Sequence, residues 1–215
     1  MLTYKNWERK IVKELYILWN QSEKFLPCHG PEHHIRVWKM AQPFGLEKRA
    51  DLDVLVASCL LHDVHSFYEA EPKDHEKRSA RIAKKVLQKI TFPAKKIPFV
   101  MTAIMDHRSS VRGKRSLEGD ILKSFDKLDA FGPIGVYRII TPLSIRGYTA
   151  EDILGWALGQ HRLEKKWQSI AFPELRKKYR ARFFYTKRYF EALATALKYV
   201  PHRSRFTESK VHIGK

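Results

Sequence analysis

Apolar residues recur at three- and four-residue spacing through most of the chain, beginning with Trp7, Ile11, Leu15 and Leu18 on one stripe, which predicts an amphipathic opening helix. Prolines at 27 and 31 break the pattern before a second helical stretch, residues 32–41, that Pro43 is expected to stop. Asp51 opens a strongly apolar segment running to about Asp63. Further helical patterns cover residues 73–90, 93–107, 117–131, 134–140 and 150–158, with Gly, Pro or Ser at the joints. Residues 172–200 read as one long helix with Pro173 near its start and Pro201 at its end. In it Arg and Lys interleave with Phe183, Phe184, Tyr189 and Phe190, aromatics assigned to packing rather than base stacking. Convincing two-residue alternation is absent, so the predicted class is all-α.

At 215 residues and 44% hydrophobic, the chain can bury a substantial core, and one helical domain over residues 1–200 accounts for its length. The remaining 201–215, PHRSRFTESKVHIGK, are polar and basic and are expected to be mobile. No apolar run approaches the roughly 18 residues of a membrane span, and the first twenty residues are unlike a secretory leader, so the expected location is the cytoplasm. The two cysteines, Cys28 and Cys59, fall in different predicted elements and are expected as free thiols. A formal charge of +18 favours polyanionic partners such as nucleotides, nucleic acid or phosphate esters. The excess is concentrated in residues 161–215, with 15 Lys/Arg against 4 Asp/Glu, which fits a solvated basic face and a nucleic-acid surface equally well.

Among the ten histidines, the useful ones stand beside carboxylates in segments that can converge. His62-Asp63 closes the apolar run DVLVASCLLHD, and a buried carboxylate needs a hydrogen-bonded partner or a cation. From the dipeptide alone, a satisfied structural pair is the simpler reading. HGPEHHIRV adds His29 and His33 four residues apart, with Arg36 on the face of His33. ILKSFDKLDAFG adds Asp126 and Asp129 three apart on a helix whose other positions include Ile121, Leu122, Phe125 and Leu128; capping or pairing with Lys123 or Lys127 would also explain these carboxylates.

The order His33, His62-Asp63, Asp126 resembles the H…HD…D pattern of HD-domain phosphohydrolases. HxxxHxxRVxxxA over residues 29–41 resembles the opening motif of the subgroup related to bacterial nucleotide pyrophosphohydrolases. LLHD at 60–63 and DKLDAFGPIGVYR at 126–138 resemble its later motifs, and HEKRSARIA from His75 its helix after the HD pair. The resemblance covers residues 15–140, more weakly the final helix. The chain departs from the subgroup at Gly30, where Asp is usual, and in VHSFYEAEPKD after the HD pair. The resemblance implies an HD-type helical bundle with a long basic C-terminal helix. It makes His33, His62, Asp63 and Asp126 the metal ligands, and Arg36, Lys127 and Asp129 residues that support them or contact phosphate.

Two imidazoles and two carboxylates suit one divalent Mn, Fe, Co, Ni or Zn ion, with Mg usable, better than a calcium cage. Positions left open on such an ion take a water, whose pKa it lowers, and a phosphate oxygen. Asp129, then Glu69, then Asp74 are the candidate proton acceptors. Arg36 is the first candidate for meeting phosphoryl charge, because a guanidinium holds two oxygens at once. Arg108, Arg112, Lys114 and Arg115 in DHRSSVRGKRS can grip a di- or triphosphate tail, or be solvated. His75 and His107 give only weak support for a second ion. Cys28, His29, His33 and His34 cluster locally, but no second cysteine stands at finger spacing. P-loop, GxGxxG and GxSxG motifs are absent. The expected function is metal-dependent hydrolysis of a phosphomonoester or phosphoanhydride in a nucleotide-like substrate, with no membrane partner. The alternatives are nucleic-acid binding through the basic C-terminal region of an HD scaffold, and nucleotide sensing without turnover.

Overall fold

The structure, a computed structural model, describes residues 3–23, 26–68, 74–107 and 115–198, and among them all regular elements are helical. The tail at 201–215 lies outside the described residues. The chain divides into two compact units, Met1–Asp129 and Ala130–Lys215.

The first unit holds α1 (Thr3–Asn20), α2 (Pro31–Glu47), α3 (Leu52–Leu61), α4 (His75–Lys89), α5 (Ile97–Asp106) and α6 (Leu117–Asp129). Its centre is α3, whose sequence LDVLVASCLL is apolar but for Asp53 and Ser58 and buried at every position from 53 to 61, as a helix without a polar face requires. The Asp51 carboxylate caps it, accepting from the N–H groups of Asp53 and Val54 at 3.0 and 3.2 Å. Helices α1, α2, α5 and α6 pack around α3, and α4 packs on α5. Ile11 and Leu15 of the opening stripe are fully buried, Trp7 stacks edge-on against Phe92, and Lys89 of α4 reaches Glu14 of α1 at 2.7 Å.

Contrary to expectation, α2 does not stop at Pro43 but continues to Glu47. A proline inside a helix costs about 3 kcal/mol. Burying Trp38, Ala41, Phe44 and Gly45 offsets that cost. At Gly45 α2 and α3 come so close that a Cβ would stand 2.4 Å from Leu55 Cδ2. The stretch 93–107 divides into a 3-10 turn, Ala94–Lys96, and α5. Past Leu61, His62 and Asp63 lead into a second such turn, Val64–Phe67, so the HD dipeptide emerges from the end of the most buried helix.

The second unit holds α7 (Pro133–Ile145), α8 (Ala150–Leu158), α9 (Arg162–Gln168), α10 (Pro173–Lys178) and α11 (Arg180–Ala196). Trp167 lies between Phe131 and Phe183, with ring centroids 5.1 and 5.3 Å away. The single helix expected over 172–200 is two, parted at Tyr179, with Leu175 buried on the first and Phe190 on the second. Helix α7 runs beyond its expected end, through Pro142 to Ile145. Helix α9 was not expected, since in RLEKKWQ only Leu163 and Trp167 mark a buried side. Gly132 enters α7 at φ +83, a conformation suited to glycine, with its N–H donated to Thr186 Oγ1 at 2.8 Å. Among the described residues, no helix is long and apolar enough to cross a membrane.

Candidate metal centre

Three segments of the first unit converge. His33 lies in the first turn of α2, His62 and Asp63 follow the C-terminus of α3, and Asp126 and Asp129 stand three apart at the end of α6. One donor atom from each of His33, His62, Asp63 and Asp126 lies within 4.8 Å of the others.

Hydrogen bonding decides which ring nitrogens are available. His62 Nδ1 faces the Cys59 carbonyl at 2.9 Å, and because a carbonyl only accepts, this nitrogen carries the proton. His33 Nδ1 donates in the same way to Asp129 Oδ2 at 2.8 Å. In the neutral rings both Nε2 atoms therefore carry lone pairs, and these face each other at 3.2 Å. Asp63 Oδ2 lies 3.6 Å from His62 Nε2, while Asp126 Oδ1 lies 3.6 Å from His33 Nε2 and 3.9 Å from His62 Nε2. Asp63 Oδ1 is buried without a hydrogen bond and faces His107 Nε2 at 3.5 Å. Lone pairs and carboxylates so arranged repel one another unless a cation lies among them, and the mixed nitrogen and oxygen donors fit a divalent transition metal.

Electrostatics agree with that fit. Burial pulls the His62 pKa down, but the Asp63 charge, followed by Asp126 and the Cys59 carbonyl, leaves it raised above the ordinary value. Burial pushes Asp63 up, yet His62 and then His107 hold its carboxyl well below the usual range. The pocket draws positive charge, for which a proton and a metal compete.

Asp129 and Arg36 form a support behind His33. Arg36 Nε donates to Asp129 Oδ1 and Nη2 to Oδ2, both at 3.0 Å, beside the His33 bond. A carboxylate on the far nitrogen of a ligand histidine fixes its tautomer and raises its basicity. Lys127 Nζ reaches Asp126 Oδ2 at 3.3 Å. Arg115 Nη1 stands 3.6 Å from Asp120 Oδ1. Asp74, an exposed residue before α4, lies 3.4 Å from Lys77. Arg108, Arg112, Lys114 and Glu69 lie outside the described residues.

Two histidines gain weight from the structure. His107 closes the apolar helix α5 as His62 closes α3, and each bonds through Nδ1 to the carbonyl three residues earlier, Ile104 and Cys59. That shared position after an apolar run was a legible signal. His107, Asp63 and His75 form a second group whose donor atoms lie within 4.8 Å of one another. His34 is fully buried, and neither ring nitrogen has a hydrogen bond. Burial, then His62 and His33, hold its pKa well below the ordinary value, so it stays neutral and packs between His62 and Phe67. Cys28 and Cys59 form no disulfide, and burial with the Asp126 charge pushes the Cys59 thiol far up.

Residues 31–130 match the family model of the HD domain. This segment is an HD domain. It begins at the first residue of α2 and contains all four residues of the cluster. The chain is similar to a protein of known structure from Lactobacillus plantarum, at 18% identity and TM-score 0.70, over 92% of this chain and 99% of that one. It is also similar to a predicted HD superfamily hydrolase from an uncultured Thermotogales bacterium, at 22% identity and TM-score 0.59, over 88% and 92%. Bacillus subtilis YpgQ in complex with ADP matches at 20% identity and TM-score 0.65, over 87% and 96%. At these identities, what is shared is the fold around the HD domain. Comparison with curated proteins yielded no match.

Proposed function

We propose that this HD domain hydrolyses a phosphorylated, nucleotide-like small molecule, using a divalent ion held by His33, His62, Asp63 and Asp126. The observation that carries this reading is the pair of Nε2 lone pairs facing each other at 3.2 Å between the buried carboxylate of Asp126 and the half-buried one of Asp63. When bound, the ion supplies Lewis acidity and a water of lowered pKa. Asp129 keeps His33 in the tautomer that ligates, and with three donors on its carboxylate it is better suited to that task than to accepting a proton. Arg36, whose Nε and Nη2 are committed to Asp129, keeps Nη1 for a phosphate oxygen. Lys127 offsets the Asp126 charge and offers a cation to the phosphoryl group. Arg115 and the neighbouring Arg108, Arg112 and Lys114 serve the distal phosphates. Asp63, His75 and His107 provide a place for a second ion. The ADP bound by YpgQ supports a nucleotide as the kind of ligand.

The test joins elemental analysis of the purified protein to a phosphatase and nucleotide screen with Mn, Mg or Co. Wild type should turn over at least one phosphate compound, while His62→Ala and Asp126→Ala lose metal and activity together. Equal activity in the three proteins would overturn the proposal. A second reading, nucleic-acid binding, is favoured by the outer face of α11, where Arg180, Phe184, Tyr185, Arg188 and Tyr189 line an open groove.

A further inference from the structure

Helix α11 divides its rings between two faces. Phe190 is fully buried, and Phe183 lies against Phe131 and Trp167, with ring centroids 5.9 and 5.3 Å away. These two do the packing that the sequence pattern suggests. Phe184, Tyr185 and Tyr189 instead stand 44, 48 and 38% exposed, and with Arg180, Ala181 and Arg188 they line the open groove on the outer face. That face carries two rows at four-residue spacing, Arg180–Phe184–Arg188 and Ala181–Tyr185–Tyr189. Arg180 and Arg188 are exposed and form no ion pair among the described residues. From Leu175 to Phe190 there are seven Lys/Arg and no Asp/Glu, so the segment supplies no carboxylate of its own.

Several exposed rings in one patch mark a binding surface, and the cations among them select an anionic occupant. A second copy of this chain would set Arg180 and Arg188 near their own counterparts, because a two-fold axis presents the same patch from both sides. A lipid surface calls for a helix with rings on one side and cations on the other, whereas here Phe184 lies between two arginines in one row. An acidic peptide answers the cations and leaves the flat faces of three rings without a matching partner. Single-stranded nucleic acid answers both, because its phosphates meet the cations while its unstacked bases lie on the rings. A duplex keeps its base faces inside the stack and offers phosphates and base edges instead. Tyr185 and Tyr189 stand about 6 Å apart along the helix axis, so each can take its own base. We propose that the outer face of α11 binds single-stranded nucleic acid without sequence preference, with Phe184, Tyr185 and Tyr189 stacking on bases and Arg180 and Arg188 holding phosphates. This rests on the nucleic-acid reading of that face and narrows it to unpaired strands. It is independent of the metal centre, whose four residues all lie in the first unit.

Fluorescence anisotropy of the full chain tests this, with a labelled oligouridine, an oligothymidine and a duplex of equal length across a salt series. Both single strands should bind more tightly than the duplex. Loss of a stacking ring weakens single-strand binding about fivefold or more, so Tyr185→Ala should show at least that drop. Tyr185→Phe, which keeps the ring, should restore the affinity, and Phe184→Ala repeats the test at a second ring. Arg188→Gln should flatten the slope of log affinity against log salt by about 0.7. Melting curves check that the variants fold. The basic tail at 201–215 is present in all of them, so a loss in Tyr185→Ala belongs to the groove. Equal single-strand affinity in wild type, Tyr185→Ala and Phe184→Ala, or a loss that Tyr185→Phe fails to restore, would overturn the proposal. So would tighter binding to phosphatidylserine vesicles or to polyglutamate, or a dimer that Tyr185→Ala dissolves. A duplex bound as tightly as the single strands would sink the stacking and leave the nucleic-acid reading standing. No binding of any nucleic acid would remove both and leave the hydrolytic reading untouched.

Discussion

Replacing Asp129 by Asn keeps the shape of the support behind His33 and removes its charge. Asn retains one acceptor oxygen, but an amide nitrogen in the place of Asp129 Oδ2 can accept from neither His33 Nδ1 nor Arg36 Nη2, which stand 2.8 and 3.0 Å from that oxygen. Each bond to a charged group contributes about 1.5–3 kcal/mol. With the Arg36 side chain 34% exposed, solvent screening reduces its share. A net loss of about 2–3 kcal/mol follows, or roughly 4–10 °C in Tm for a chain of this size. The more specific effect is on the metal. Loss of a carboxylate behind a ligand histidine weakens metal binding about 10–100-fold, or about 1.4–2.8 kcal/mol. Because an ion that binds only the folded state stabilises it by mass action, the same energy should vanish from the metal-dependent rise in Tm. Thermal melts of wild type and Asp129→Asn, in chelator and across a Mn or Zn series, measure both effects. If Asp129→Asn shows the same metal-dependent rise as wild type, Asp129 does not act through His33.

Two further predictions follow from the same geometry. In the metal-free protein the raised His62 pKa contributes stability that is fully present below its unfolded value of about 6.5 and is lost as pH rises through the higher folded value. The lowered Asp63 pKa contributes stability above about 3.9 that is lost as pH falls. Tm in chelator should therefore peak in the mildly acidic range and decline towards pH 8, and His62→Ala should flatten that decline. A wild-type Tm that climbs from pH 6 to 8 in chelator contradicts the sign. Gly45→Ala would set a Cβ 2.4 Å from Leu55 Cδ2 and should cost about 1–3 kcal/mol, read as a lowered denaturant midpoint at constant slope; an unchanged midpoint would show that α2 and α3 can part at no cost.

Local signals carried much of the fold. The Trp7–Ile11–Leu15 stripe, the Asp51 cap and the strongly apolar LDVLVASCLL each state their element within a few residues, because helix periodicity and capping are short-range effects. They misjudged the ends wherever packing overrode propensity. Pro43 should stop α2, but burying Phe44 and Gly45 carries the helix on, and a uniform basic-aromatic pattern over 172–200 hides the break at Tyr179. For the centre, His62-Asp63 at the end of an apolar run and the motif order from His33 to Asp126 were enough to nominate the cluster, and His107, weighed only as weak support for a second ion, carried the same signature.

The residue types and their spacing along the chain thus determined an all-helical protein, and the motifs that resemble HD-domain proteins named the imidazoles and carboxylates able to meet. Tertiary structure decided which atom each of them offers. Cys59 and Asp129 take the Nδ1 protons and turn both Nε2 lone pairs inward, and Asp129 is claimed by Arg36. None of this can be read from a linear pattern, because lone-pair direction and desolvation depend on partners dozens of residues away, and those partners are fixed only when α2, α3 and α6 pack together.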